Sequence, residues 1–93
     1  MGERIMTLHP DGKQGVNIDK AKYDAVRQAI LDSLAERGDI PFGDLGEAVA
    51  AHLTEPFDGS VGWYTTTVKL DLEARGEIER VAGRSPQVVR LVK

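Results

Sequence analysis

The stretch from residue 19 to residue 37 carries apolar residues at the spacing of an amphipathic helix. They stand at i, i+3, i+7 and i+11, and they are Tyr23, Val26, Ile30 and Leu34. Asn17 or Asp19 can cap the start of this helix, and Gly38 is the glycine that commonly follows a helix end. Such a stripe is stable only when other elements cover it, because most helical stability comes from packing the apolar side. The rest of the chain must therefore supply that cover.

A second, shorter helix is predicted after a brief extended piece. Pro41 disfavours helical geometry at Ile40, so residues 39–42 are expected to be extended. The helix then occupies residues 43–53. Its buried side is expected to consist of Leu45, Ala48, Val49 and Leu53.

A third helix is predicted over residues 60–75, with Asp58 or Ser60 as its cap and Gly76 after its end. One apolar arc on its helical wheel consists of Val61, Tyr64, Val68 and Leu72. A second arc, roughly opposite, consists of Trp63, Leu70 and Ala74. A helix that is apolar on two sides is either sandwiched between other elements or offers one side to a partner.

Two β-hairpins are predicted, one at each end of the chain. Residues 5–8 and 16–18 flank the turn-forming sequence PDG at positions 10–12. Residues 78–81 and 87–92 are rich in β-branched side chains and flank the sequence AGRSP. Both ends of the chain are thus expected to contribute small antiparallel sheets.

This order of elements predicts an α+β fold, the winged helix-turn-helix. Residues 19–76 supply three helices that pack around one another, and residues 77–93 supply a wing hairpin over their open side. Ile40 is expected to pair with that hairpin as a third strand. Residues 1–18 form an N-terminal hairpin extension. Because an exposed strand edge is a ready pairing surface, we expect a homodimer through this extension or the first helix.

The chain length and composition limit the remaining possibilities. A chain of 93 residues supports a single domain with one core. It contains no apolar run near the roughly 20 residues that span a membrane, and its start does not look like a signal peptide. There are no cysteines. We therefore expect a cytoplasmic protein without a membrane segment.

Two runs of the sequence resemble a known family. They are LHPDGKQGVNIDKAKYDAVRQAIL and WYTTTVKLDLEARGEIERV. They look like a family of small bacterial proteins, a domain of unknown function with winged-helix character, and the similarity covers most of the chain. The resemblance implies the fold and carries over no functional residue.

Charge is distributed unevenly along the chain. Residues 1–62 contain 6 basic and 11 acidic side chains, whereas residues 63–93 contain 6 basic and 4 acidic ones. Such asymmetry can mark an end that faces a polyanion, although a solvated strand surface with alternating arginines explains it about equally well.

The leading hypothesis is a bacterial transcriptional regulator that binds double-stranded DNA. Its third helix would enter the major groove, and its wing would contact the backbone or the minor groove. The expected contacts are Ser60, Thr65, Thr66, Lys69, Arg80, Arg84 and Arg90. Lys69 and Arg84 are expected at the surface, and Thr65 at the margin of the outward side of the helix. Against this hypothesis, Asp71, Glu73 and Glu77 are expected near the same surface, and the chain has a pI near 5.3.

The alternative hypothesis is a winged-helix module that binds another protein or dimerises without binding DNA. Phe57, Trp63 and Tyr64 form an aromatic group at the start of the third helix, and interfaces favour aromatic residues. For Trp63, the only tryptophan of a small domain, the favoured interpretation is that it simply fills the core between helix and sheet. A positive surface joining Lys69 to the wing would favour DNA, whereas an exposed apolar patch around Trp63 would favour a protein partner.

Catalysis has little support in the sequence. His9 lies in a predicted turn and His52 at the edge of a buried helix side, and neither belongs to a recognised metal-binding or phosphate-binding motif. His52 is more readily explained as a structural histidine than as a ligand. We expect no enzymatic activity, cofactor or metal.

Overall fold

The computed structural model describes residues 2–53, 57, 59–83 and 86–92, which form three helices and two small antiparallel sheets. The fold is therefore α+β, as predicted. The elements in chain order are β1 (Arg4–Met6), β2 (Asn17–Asp19), α1 (Lys20–Arg37), β3 (Ile40–Pro41), α2 (Phe42–His52), α3 (Val61–Ala74), β4 (Ile78–Arg80) and β5 (Val88–Leu91).

Helix α1 begins and ends where its capping residues predict. The Asp19 carboxylate accepts a hydrogen bond from the Ala21 amide at 2.9 Å, which satisfies one of the free amides of the first turn. Gly38 has a φ of 76° and donates its amide to the Leu34 carbonyl at 2.9 Å. A side chain at this left-handed position would be strained, so glycine is the residue that ends α1 most cheaply.

Helix α3 also begins at a side-chain cap and is followed by a glycine with positive φ. The Ser60 side chain caps its start by accepting a hydrogen bond from the Trp63 amide at 3.1 Å. Its last turn leads through Gly76, where φ is 79°, directly into β4. Because this connection is short, the C-terminal hairpin returns immediately alongside α3.

The C-terminal hairpin and its third strand form as predicted. β5 lies between β3 and β4, with Ile40 opposite Val89 and Ile78 opposite Leu91. Ile40 and Val89 are fully buried, which explains why an apolar residue precedes Pro41 in a short connection. The sheet therefore fixes the start of α2 against the end of the chain.

One apolar core lies among the three helices and this sheet. Its fully buried members include Val26, Ile30, Ile40, Leu45, Val49, Val68, Leu72 and Val89. Each of the three helices contributes to it, and so does each strand of the sheet, through Ile40, Ile78 and Val89. The apolar stripe of α1 is thus covered by the other two helices and by the sheet.

The N-terminal hairpin packs on α1 through Ile5 and Ile18, which lie opposite each other across the strands. At the end nearest its turn the two arms of the hairpin lie close together. The buried Thr7 hydroxyl accepts a hydrogen bond from the Val16 amide at 2.9 Å, and a Cβ atom at Gly15 would lie only 1.7 Å from the Thr7 carbonyl oxygen. Gly15 is therefore required for the two strands to approach.

A buried carboxylate joins this hairpin to two helices. Asp71 of α3 is fully buried. Its Oδ1 accepts the Leu8 amide at 2.8 Å, while its Oδ2 accepts the Arg75 Nε at 2.8 Å and the Tyr23 hydroxyl. The expectation that Asp71 lies on an exposed surface is wrong, because its side chain points toward α1 and the hairpin. Burial, together with the hydrogen bond to Asp71, raises the pKa of Tyr23 to about 12.

No helix in the described ranges has both the length and the apolar character needed to cross a membrane.

Tyr23→Phe is expected to lower the free energy of unfolding by about 2 kcal/mol, because the buried Asp71 carboxylate loses a hydrogen-bond donor while the ring packing is kept. Urea unfolding at neutral pH measures this loss. Tyr64→Phe is the matched control, since no hydrogen bond of the Tyr64 hydroxyl is found among the described residues. Equal effects of the two substitutions would contradict the role assigned to Asp71.

Candidate functional site

Lys69 is buried rather than exposed. Only 3% of its surface is accessible, and its Nζ lies 2.9 Å from Oε2 of Glu73. The ammonium group also donates to the Gln87 side chain and sits 4.9 Å above the centre of the Phe42 ring. The expectation that Lys69 is a surface residue is therefore wrong. Its contact with DNA stays a prediction. The beginning of α2 and the residue before β5 cover this side of α3.

The other charged side chains of α3 are also withdrawn from solvent. The Glu73 side chain is 7% exposed, and its Oε2 forms a buried ion pair with the Lys69 ammonium group at 2.9 Å. Asp71 is enclosed by the hairpin and α1. Glu77, just beyond the helix, pairs with Arg27 of α1 and so does not lie on an open groove surface as expected. Between residues 61 and 74, the exposed surface of α3 therefore carries no free charge.

The exposed side of α3 is uncharged along its length. We call it the α3 face. Trp63 and Thr66 are exposed on it, and Thr67, Leu70 and Ala74 are partly buried. At 100° per residue these positions fall within an arc of about 100° on one side of the helix. Trp63 is 47% exposed, so the interpretation that it fills the core is wrong. The Thr66 hydroxyl donates to the Gly62 carbonyl at 3.1 Å, within its own helix.

Aromatic rings cluster at the N-terminal end of the α3 face, as the sequence predicted. Tyr64 lies edge-on to Trp63 with ring centres 4.9 Å apart, and edge-on to Phe57 at 5.1 Å. The Lys22 ammonium lies 5.6 Å from the Tyr64 ring centre and 5.9 Å from that of Phe57. Trp63 thus packs against Tyr64 and projects from the helix as a half-exposed ring, which we call the knob. The binding role of the three rings stays a prediction.

A groove lies at the opposite end of the α3 face. It is lined by Ala74 and by the N-terminal hairpin with its turn, which contribute the apolar Met6 and Leu8 and the polar His9, Lys13 and Gln14. The groove has a volume of about 560 Å³. Met6 and Leu8 are 51% and 45% exposed. Sequence reasoning missed both residues. Their alternation with the inward-facing Ile5 and Thr7 was the available signal, since a two-stranded sheet packed on one side leaves the other side open.

The remaining residues expected to contact DNA are not gathered on one surface with Lys69. Thr65 is buried, contrary to expectation, because it faces the protein interior rather than the α3 face, and the Ser60 side chain is occupied as the helix cap. Arg80 is exposed on β4. Arg90 on β5 pairs with Glu79 at 2.7 Å. Arg84 lies outside the described residues. With Lys69 buried, the positive surface that would join α3 to the hairpin loses its central member.

His52 stabilises the contact between α1 and α2. Its Nδ1 lies 2.9 Å from the Ala48 carbonyl and 3.2 Å from the Ser33 hydroxyl, and its Nε2 lies 3.0 Å from the Glu36 carboxylate. Acceptors at both ring nitrogens favour the doubly protonated ring. The hydrogen bond to Glu36 and then that to the Ala48 carbonyl raise the pKa of His52. This geometry suits the structural role favoured by the sequence.

The other histidine, His9, lies in the turn of the N-terminal hairpin, beside the groove. His9 accepts the Asp11 amide at 3.1 Å through Nδ1. Over the described part of the chain, no three His, Asp or Glu side chains are grouped as a metal ion would require.

Lys69→Ala is expected to lower the free energy of unfolding by about 3 kcal/mol, because the Glu73 carboxylate remains buried without its counter-charge. The double variant Lys69→Met with Glu73→Met removes both charges and is expected to stay within about 1 kcal/mol of the native protein. Urea unfolding of the native protein and the two variants measures the difference. A Lys69→Ala variant as stable as the native protein would show that the ammonium group is solvated.

Stability is expected to fall as pH rises from about 5.5 to about 8.5, the region in which a histidine loses its charge. The folded-state pKa of His52 lies above its unfolded value, so the ring contributes its full stabilisation at low pH and loses it as pH passes through the folded-state pKa. Glu36→Gln removes the largest cause of the shift and should flatten this part of the profile. Urea unfolding across the pH range tests both statements, and an unchanged slope in the Glu36→Gln variant would contradict them.

Comparison with known proteins places the chain in a family. The sequence model of a family of unknown function, DUF6958, matches residues 4–89, which is almost the whole chain. The match includes both runs that carry the resemblance. No curated protein matches the chain. No solved structure matches it either. The chain therefore belongs to the DUF6958 family of unknown function.

Proposed function

We propose that this chain is a non-catalytic winged helix-turn-helix module that binds a protein through the α3 face rather than DNA. In this architecture, α2 and α3 are the helix-turn-helix, the hairpin of β4 and β5 is the wing, and the hairpin of β1 and β2 is an addition. The order of the helices and the pairing of β3 with β5 support that assignment. Winged helices serve both nucleic-acid and protein recognition, so the choice between them depends on the surface of α3.

The observation that carries the proposal is the burial of every charged side chain of α3. A helix that enters a DNA groove meets closely spaced phosphates, and it needs cationic or hydrogen-bonding side chains that face them. The only cation of α3, Lys69, is buried beside Glu73. What α3 presents to solvent is a tryptophan, two threonines and two aliphatic side chains.

The same surface has the composition of a protein interface. The centres of protein interfaces are depleted of charged residues and enriched in aromatic ones. Trp63 is the only tryptophan in the chain and projects from a supporting aromatic cluster. A rigid, half-exposed tryptophan surrounded by uncharged residues is the kind of side chain that contributes most to protein binding.

DNA binding by a transcriptional regulator remains the second candidate. It is favoured by the exposed Arg80 on β4 and by the surplus of basic residues near the C-terminus. The net charge of −3 and the neutralisation of Arg90 by Glu79 weaken it.

Binding of a fluorescently labelled mixed-sequence duplex, followed by anisotropy at about 20 mM and about 150 mM salt, separates the two candidates, since phosphate contacts weaken steeply with salt. We expect no saturable binding to about 10 µM protein, because α3 offers no free cation. Salt-sensitive binding that is lost in Arg80→Ala and kept in Trp63→Ala would overturn the proposal in favour of DNA.

A photoreactive amino acid at position 66 tests the protein-binding part directly. Position 66 lies on the α3 face, and position 92 is a matched exposed control, since Val92 is 43% exposed on another surface. Nuclease-resistant protein adducts are expected from position 66 and not from position 92. Equal adducts from both positions, or none from position 66, would contradict the proposal.

A further inference from the structure

We infer that the protein bound on the α3 face is a second copy of this chain, arranged about a two-fold axis so that Trp63 of each copy enters the groove of the other. This inference rests on the proposed function, because it names the partner of the same face. Three properties of the α3 face support it: the spacing of the knob and the groove, the absence of exposed charge, and the concentration of exposed apolar side chains.

The knob and the groove lie at opposite ends of one helix face. Trp63 and Ala74 are 11 residues apart, which is about three turns and roughly 16 Å along the axis. Eleven steps of 100° return to within about 20° of the starting direction, so both residues point the same way. The α3 face therefore carries a projecting ring at one end and a recess beside Ala74, Met6 and Leu8 at the other.

A two-fold axis through the middle of the α3 face makes these two features complementary. The midpoint between Trp63 and Ala74 falls between Thr67 and Leu70. Rotation about an axis perpendicular to α3 at that point lays two α3 helices antiparallel, with each Trp63 opposite the groove of the second copy. Such a contact is isologous, so one self-complementary surface suffices and the assembly closes at two copies.

The charges of the chain also favour this face for self-association. In an isologous contact, a charged surface meets its own like charges across the axis, which costs free energy. The surface formed by the end of α1 and the beginning of α2 is acidic and would repel its copy. Its exposed or partly exposed carboxylates are Asp32, Glu36, Asp39, Asp44 and Glu47. The α3 face has no exposed charge and meets itself without that cost. The groove is lined by one charged side chain, the exposed Lys13, which would face Trp63 of the second copy and lie far from its own symmetry mate.

Apolar exposure points to the same side of the molecule. Five large apolar side chains are clearly exposed among the described residues, and three of them are Trp63, Met6 and Leu8. The hydrogen bond from the Leu8 amide to Asp71 holds the hairpin against the C-terminal half of α3, and Met6 and Leu8 line the groove together with Ala74 of the α3 face. A contact that buries Trp63, Met6 and Leu8 together removes three of these five apolar side chains from water.

Thr67 lies next to the proposed axis, so a charge at this position tests the arrangement. The two copies of residue 67 would be offset by only about 4–5 Å along the helices. Thr67→Glu and Thr67→Lys should each weaken dimerisation at least tenfold by placing like charges together. Mixing the two variants should restore a dimer, because opposite charges then meet across the axis.

Sedimentation velocity at protein concentrations from about 1 to about 300 µM measures these effects, a range that brackets dissociation constants of weak and moderate dimers. The native protein and Val92→Glu should dimerise alike, whereas Thr67→Glu and Thr67→Lys should be monomeric alone and dimeric when mixed. Thr66→Glu replaces Thr67→Glu if the latter unfolds, as judged by circular dichroism. The emission of Trp63, the only tryptophan, should shift to shorter wavelength as the native dimer forms.

A native protein that stays monomeric over this range overturns the inference. So does a dimer that Thr67→Glu leaves intact, because it would use another surface. Neither result bears on the proposed function, which fails separately if duplex DNA binds in a salt-sensitive way or if position 66 forms no specific protein adduct.

Discussion

The ion pair between Lys69 and Glu73 determines what the third helix can offer to a partner. Removing these two charges from water is costly, and the cost is offset only because they lie together with the Gln87 amide and the Phe42 ring. The short turn after α3 and the pairing of β5 with β3 bring Gln87 and Phe42 to this place. Sheet topology thus removes from solvent the one cation of α3 and leaves an uncharged helix surface.

The second buried charge, Asp71, produces the rest of the candidate site. Its carboxylate holds the Leu8 amide, and so it fixes the N-terminal hairpin beside the end of α3. Met6 and Leu8 consequently line a groove together with Ala74, which lies on the same helix face as Trp63. The same carboxylate accepts hydrogen bonds from Tyr23 and Arg75. The position of the N-terminal hairpin therefore depends on a buried hydrogen-bond network.

Much of the fold was predictable because local signals and burial agree. The apolar period from Tyr23 to Leu34, the caps at Asp19 and Ser60, and the apolar Ile40 before a proline each have one simple structural explanation. The candidate site was harder to predict. Both sides of α3 are apolar, so the helical wheel alone does not reveal which side is covered. A lysine is normally exposed, and only the neighbouring sheet shows that Lys69 is not. Trp63 was misjudged for the converse reason, since a large ring is more often buried.

The central claim is that α3 presents no cation to solvent, and the reactivity of individual lysines tests it most directly. Brief acetylation of the folded protein, followed by mass spectrometry of the peptides, compares Lys69 with Lys13, which is exposed in the N-terminal turn. Burial of the ammonium group beside Glu73 predicts strong protection of Lys69 that disappears in urea. Modification of Lys69 as fast as that of Lys13 in the folded protein would contradict the claim and return α3 to the candidates for DNA recognition.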